Sequence, residues 1–202
     1  PKITGWSAAS ETLHNDGALY ADTAVAESAP GRIKGFRDPF WFRDPQTQLG
    51  YLLFTASQPT AASTSDYDGV IGIAKADDAD GRTTFTALPA LIDAMGVSNE
   101  LELPHIVYRD GRYYLFWCTQ EGVFVPGGPT GPTGLYGMVA SNLFGPYEPL
   151  NGTGLVLANP AAEPRQAYGW RVLPSLEVVS FVDYWGVEGR DIDHEPAVKA
   201  SQ

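Results

Sequence analysis

Two short acidic segments hold the residues of this chain best suited to chemistry: Gly35-Phe36-Arg37-Asp38-Pro39-Phe40-Trp41 and Glu100-Leu101-Glu102-Leu103-Pro104-His105-Ile106. Each places a carboxylate within two residues of a proline that opens a strand. In the first, Arg37 supplies a fixed positive charge that keeps the neighbouring Asp38 ionised, a state suited to accepting hydrogen bonds from hydroxyl groups. In the second, Glu100 and Glu102 alternate with an apolar residue, so in a strand both point to one face. Two carboxylates that close raise the pKa of one of them, which is what a general acid needs to stay protonated near neutrality. Paired acids at fixed positions are what glycoside chemistry requires, and Asp38 and Glu102 are the candidate pair.

The two segments sit one internal repeat apart. Pro39 and Pro104 are separated by 65 residues, the Tyr51-Leu52-Leu53-Phe54 and Tyr113-Tyr114-Leu115-Phe116 runs by 62, and Gly72-Ile73-Ala74 and Gly137-Met138-Val139 by 65. Two copies of one unit therefore carry acids at near-equivalent places, Asp38 in one and Glu102 in the other. Repetition at such a period is the mark of a repeat architecture. The tripeptide Arg43-Asp44-Pro45 repeats the first motif six residues on, but between two apolar runs it reads as a turn.

Apolar runs of strand length recur at 40–42, 50–55, 70–75, 105–108, 113–118, 135–140, 154–157, 171–173 and 178–182. Most are bounded by Gly, Pro, Asn or Asp, the punctuation of antiparallel meanders. Asp110-Gly111 is a tight-hairpin signal, and Asn15-Asp16-Gly17 supplies the same signal earlier. The best helix candidate is Ala87 to Met95. The Pro-Gly-rich stretch 125–134 reads as an ordered surface loop inside the second unit. About four strands per repeat point to an all-β protein of the β-propeller type, with units at about 36–98 and 101–160. First strands of propeller blades line the central channel, so Asp38 and Glu102 are expected to meet at one of its mouths. Residues 1–202 read as one domain.

Bulk composition agrees: 22 Gly and 16 Pro with 18% charged residues favour short strands and frequent turns. A formal charge of -11 argues against nucleic acid or an anionic membrane surface as partner. The single cysteine, Cys118, ends an apolar run and reads as a small buried hydrophobe. His14 and His194 lie in turn-like contexts away from Cys and acids, and Asp77-Asp78-Ala79-Asp80-Gly81 lacks the closing glutamate of a calcium loop, so neither metal nor other cofactor is expected. His105 reads as a packed or hydrogen-bonded strand residue. Aromatic clusters at Trp6-Ser7, 40–42, Tyr168-Gly169-Trp170 and Tyr184-Trp185 offer flat faces on which sugar rings can stack.

With these residues in hand, the chain resembles glycoside hydrolase family 68, the levansucrases, inulosucrases and bacterial β-fructofuranosidases. Gly5-Trp6-Ser7-Ala8-Ala9-Ser10 is similar to the family's Trp-Ser-Gly-Ser/Ala motif, Phe36-Arg37-Asp38-Pro39 to Arg-Asp-Pro, Glu102-Leu103-Pro104-His105 to Glu-Arg-Pro-His, and Gln166-Ala167-Tyr168-Gly169-Trp170 to Gln-Thr-Tyr-Ser-His. The stretch 143–157 resembles the family segment that follows its acid motif. The resemblance implies a five-bladed propeller, of which this chain supplies three to four blades, acting on sucrose or fructans through a covalent fructosyl-enzyme. It implies Glu102 as general acid/base, Asp38 as stabiliser, and Arg37, Trp6, Ser7, Glu100, Tyr168, Gln120 and Trp170 as substrate contacts, outside the cell or in the periplasm.

The family's nucleophile lies in a Trp-Asp motif that this chain lacks, so a second polypeptide or a missing segment is expected to supply it. Leu103 stands where the family has Arg, Gln120 where it has Arg or His, Trp170 where it has His, and Thr55 where it has Glu. The changes at Gln120 and Trp170 favour hydrolysis or short transfer products over long polymer. The alternative reading is a non-catalytic propeller subunit that binds sugar or stabilises a partner.

Overall fold

The structure, a computed structural model, describes residues 5, 8–24, 26, 29, 31–78, 84–184, 186–187 and 190. It is all-β. Strands β1 (Phe36–Arg43), β2 (Gly50–Ser57), β3 (Gly69–Ala76) and β4 (Phe85–Asp93) form one antiparallel sheet in sequential order. A second follows: β5 (Glu102–Arg109), β6 (Arg112–Thr119), β7 (Gly134–Ala140), β8 (Glu148–Pro149) and β9 (Leu155–Ala158), the last two both pairing with β7. A hairpin of β10 (Ala167–Val172) and β11 (Val178–Val182) opens a third unit. These are blades of a β-propeller in which the first strands β1, β5 and β10 are neighbours in space.

The repeat seen in the sequence is a repeat of packing. β2 and β3, like β6 and β7, are buried along nearly their whole length, which is why they are written as unbroken apolar runs. In blade 1 the Phe54 ring lies over its register partner Gly72, and in blade 2 the Phe116 ring lies over Gly137. A Cβ at either glycine would fall inside the ring, at 2.3 Å and 2.7 Å respectively. Between the blades, Leu53, Ile71 and Ile73 meet Ile106, Leu115 and Trp117 in the largest apolar cluster. Beyond blade 2, Val107, Phe116, Cys118 and Leu135 meet Trp170 and Val172 of β10.

The segment before β1 covers the outer side of blade 1. Tyr20 is buried with Phe54, Val70 and Ala74, and its hydroxyl enters a break in the β3–β4 ladder, accepting from Ile73 N–H at 3.1 Å and donating to Leu88 O. Burial pushes its phenol up to about 12.

Two expectations fail. Residues 87–95 are not helical: β4 runs through Phe85–Asp93 as an edge strand, with its register against β3 shifting between Leu88 and Ile92. Pro89 falls inside that irregularity, where no ladder bond is asked of it, so a run rich in Ala, Leu and Ile pairs as a strand. Asn15-Asp16-Gly17 is a turn without flanking strands; Gly17 N–H donates to Asn15 Oδ1 at 3.2 Å and Asn15 Nδ2 to Ala21 O at 2.7 Å. Asp110-Gly111, by contrast, closes the β5–β6 hairpin, with φ 50° and 74° and Arg109 opposite Arg112.

Candidate active site

All three first strands carry the same defect. Register shifts lie between Arg37 and Phe40 in β1, Glu102 and His105 in β5, and Tyr168 and Arg171 in β10. Within each, one residue turns to positive φ: Asp38 at 59°, Leu103 at 52° and Gly169 at 75°. Bulges of this kind re-aim the side chains beside them. The residue just before each bulge, Arg37, Glu102 or Tyr168, is thereby sent to a common place. The expectation that Asp38 and Glu102 are repeat equivalents is thus off by one. Arg37 matches Glu102, and Asp38 matches Leu103, because the bulge aligns Pro39 with Pro104.

The three matched residues are bonded in a line. Arg37 Nη2 donates to Glu102 Oε1 at 3.0 Å and to Glu100 Oε1 at 2.7 Å, and the Tyr168 hydroxyl donates to Glu102 Oε2. Gln120 Nε2 reaches the same Oε2 at 3.5 Å. Asp38 joins from the next position: its Oδ2 lies 3.8 Å from Arg37 Nε and accepts the Leu103 N–H at 3.3 Å. Thr55 Oγ1 is 3.0 Å from Asp38 Oδ2 and 3.0 Å from Leu101 O, so its one proton is shared between them. One guanidinium thus serves three carboxylates.

Glu100 precedes β5 in a segment fixed through its backbone. The hydroxyls of Ser98 and Thr119 donate to Glu100 O at 3.2 and 3.1 Å, and Asn99 N–H bonds Val123 O at 2.8 Å. Burial, foremost, lifts the Glu100 carboxyl above its ordinary value; Arg37 opposes this while the charges of Glu102 and Asp38 add to it. Burial works against the Arg37 charge, but the bonds to Glu102 and Glu100 outweigh it and raise its pKa. Burial and then the Glu102 charge push the Tyr168 phenol far up, so it stays a donor. A cavity of about 740 Å³ opens beside Tyr168 and Gln120, with Thr133, Ala167, Asp183 and Tyr184 among its walls.

The structure therefore brings together Arg37, Asp38, Glu100, Glu102, Tyr168 and Gln120. Trp6 and Ser7 lie outside the described residues. Trp170 is a correction: its side chain is 4% exposed, packed with Val107, Phe116 and Cys118, so it has no open face for a sugar. Position 170 follows the bulge residue Gly169, and its ring joins the apolar layer between the blades. Asp44 caps the β1–β2 turn, as its surroundings suggested, accepting from Gln46 N–H, Thr47 N–H and the Tyr113 hydroxyl. Two partners of the site are given no role by the sequence: Thr55 is marked only as standing where the family has Glu, and the Leu103 N–H is backbone. Among the described residues, no group of His, Cys, Asp and Glu could hold a metal.

Clustered carboxylates on adjacent first strands of a propeller are the kind of groups that glycoside chemistry uses. Comparison with known proteins gives the family. A model of the Levansucrase/Invertase family, glycoside hydrolase family 68, matches residues 60–199. A levansucrase of Zymomonas mobilis subsp. mobilis is 36% identical, over 89% of this chain and 46% of its own length. A levansucrase of Rahnella aquatilis is 46% identical, over 73% of this chain and 40% of its own. Among solved structures, the inulosucrase from Halalkalicoccus jeotgali bound to kestose superposes with a TM-score of 0.80 at 37% identity, covering 92% of this chain and 47% of that one. The chain belongs to glycoside hydrolase family 68, and it spans about half the length of the relatives it matches.

Proposed function

We propose that the complete protein transfers the fructosyl group of sucrose, to water or to another sugar, with retention and through a covalent fructosyl-enzyme. The observation that carries this reading is the Arg37–Glu102–Tyr168 line with Asp38 beside it, in a chain 36% identical to a levansucrase. A carboxylate from outside the described residues, on another segment or another polypeptide, attacks the fructosyl C2. The C2–O bond to glucose breaks as Glu102 gives its proton to the departing oxygen. Water or a sugar hydroxyl then attacks C2, breaking the ester to the nucleophile while Glu102 takes the proton back.

Asp38 holds fructosyl hydroxyls. All its bonds among the described residues fall on Oδ2, which leaves Oδ1 for the sugar. Arg37 and Glu100 set the charge around Glu102, and Gln120 with the adjoining cavity takes the acceptor side. The single propeller domain works outside the cell or in the periplasm, where sucrose and fructans are met; no helix among the described residues is long and apolar enough to cross a membrane.

The test is glucose and free fructose release from sucrose by the complete protein, with intact mass spectrometry of the quenched enzyme to find one added fructosyl unit. Absence of glucose release overturns the reading. Leu103 favours a second one, because an apolar side chain replaces the family's arginine beside the acid: a propeller that binds sugar without cleaving it. Calorimetric binding of sucrose with no turnover would establish that alternative.

A further inference from the structure

Two side chains of β5 tie it to β10, one on each side of the bulge. Above it, Glu102 accepts from Tyr168. Below it, His105 lies 1% exposed, with Nδ1 2.9 Å from Leu103 O and Nε2 accepting the Val172 N–H at 2.9 Å. These bonds fix the tautomer. Val172 N–H is a donor, so Nε2 must offer a lone pair; the proton is then on Nδ1, donated to Leu103 O. The Leu103 carbonyl belongs to the strained residue at φ 52° that directly follows Glu102. One ring therefore holds both the bulge that aims Glu102 and the strand that carries Tyr168.

We infer that His105, as the neutral Nδ1–H tautomer, is a positioning residue that keeps the Tyr168 hydroxyl on Glu102. The inference rests on Glu102 being the acid of the proposed reaction. Its surroundings suit the role. Phe116 of β6 stacks on the ring at 5.6 Å and Phe40 of β1 meets it edge-on at 6.0 Å. From β10 comes Arg171, held 4.9 Å over Phe40, whose positive charge opposes a second one on the imidazole. Burial, aided by Arg171, lowers the imidazole to about 4. Protonation at Nε2 would set two donors against each other, His105 and Val172 N–H, and push β10 away from β5.

The experiment has two arms on the complete protein. In the first, long-range ¹H–¹⁵N correlation of His105 and the ¹³Cζ shift of Tyr168 are followed from pH 8 to pH 3.5. The expected result is a neutral Nδ1–H ring down to pH 5, with the Tyr168 signal changing in the same step as His105 below it. An Nε2–H tautomer, an imidazolium at pH 6, or a Tyr168 signal indifferent to His105 overturns the inference, whether or not sucrose is cleaved. In the second, H105F, Y168F and the double variant are compared by pH–rate profile. Loss of the Tyr168 bond removes a donor to the charged carboxylate, so the alkaline limb of kcat/KM moves up in each single variant and no further in the double. H105Q, which can still accept from Val172, should recover most of the shift. An unmoved limb in a folded H105F variant, or a limb in a folded H105Q variant displaced as far as in H105F, overturns the inference. Failure of wild-type protein to cleave sucrose would sink the proposed function and leave the first arm to decide this one.

Discussion

Arg37 and Glu102 occupy the same position in successive blades and are bonded to each other at 3.0 Å. The repeat thus places opposite charges in equivalent slots, and the third blade adds a neutral phenol, Tyr168, in the next one. Because Arg37 also bonds Glu100 at 2.7 Å, it is the cation nearest both glutamates. Arg37→Gln is expected to raise the apparent pKa values of the site, since loss of a neighbouring positive charge disfavours both carboxylates. Both limbs of the pH–rate profile should move to higher pH, and kcat/KM at neutral pH should fall at least ~100-fold. An unmoved profile would show that the guanidinium only binds substrate.

Glu102→Gln keeps the shape and the Tyr168 contact but has no proton to give. In the complete enzyme it should lower kcat with sucrose by at least ~100-fold. A fructosyl donor with an acidic leaving group, which needs little protonation, should lose much less. Equal losses for both donors would remove Glu102 from the acid role.

Asp38 is held by Thr55 and by Leu103 N–H through a single oxygen, so the two oxygens have separate duties. Asp38→Asn should lower kcat more than it raises KM, because its bonds to the sugar strengthen as positive charge forms at C2. Thr55→Val removes the hydroxyl with little change in volume and should give a smaller loss of the same kind, ~3–10-fold in kcat. A change in KM alone for either variant would assign the group to ground-state binding.

Much of this was legible because strands, turns and the repeat are written in local residues. The apolar runs of β2, β3, β6 and β7 and the Asp110-Gly111 turn depend on side chains a few positions apart. Arg37, Asp38, Glu100, Glu102 and Tyr168 could be named because motifs carry them. Their bonding order could not, since it depends on a bulge that shifts each strand by one residue. Trp170 looked like a ligand face because composition cannot say which aromatic an adjoining strand covers. The run 87–95 looked helical because Ala, Leu, Ile and Met suit a helix, whereas pairing along β3 decides for a strand.

His105 also links pH to stability. The unfolded chain binds a proton at the ring from about pH 6.5 downward, whereas the folded protein does so only near about 4. Between these values the unfolded state holds more protons, so stability falls as pH falls, by on the order of 3 kcal/mol in all. Urea unfolding across this window should show that loss, and H105Q should flatten the curve. A wild-type slope identical to that of the variant would mean that the folded protein protonates the ring as readily as the unfolded chain.

Gly69 is where a single methyl group should reach the site from outside it. Its Cβ would lie 2.4 Å from Asn99 O, 2.7 Å from Asn99 C and 3.0 Å from Glu100 N, all backbone atoms with no rotamer to escape into. The close approach exists because Gly69 N–H bonds Ser98 O at 2.9 Å, tying the start of β3 to the segment that presents Glu100. Gly69→Ala is therefore expected to cost about 1–3 kcal/mol or more in urea unfolding and to pull Glu100 from Arg37. Gly122→Ala is the control, for nothing lies within 4 Å of its Cβ, and it should stay within about 0.5 kcal/mol. The discriminating measurement is sucrose turnover well below the midpoint of unfolding, where both variants are folded. Gly69→Ala should be slower than wild type; a rate equal to wild type would mean that the Asn99–Glu100 backbone can shift without disturbing the carboxylates.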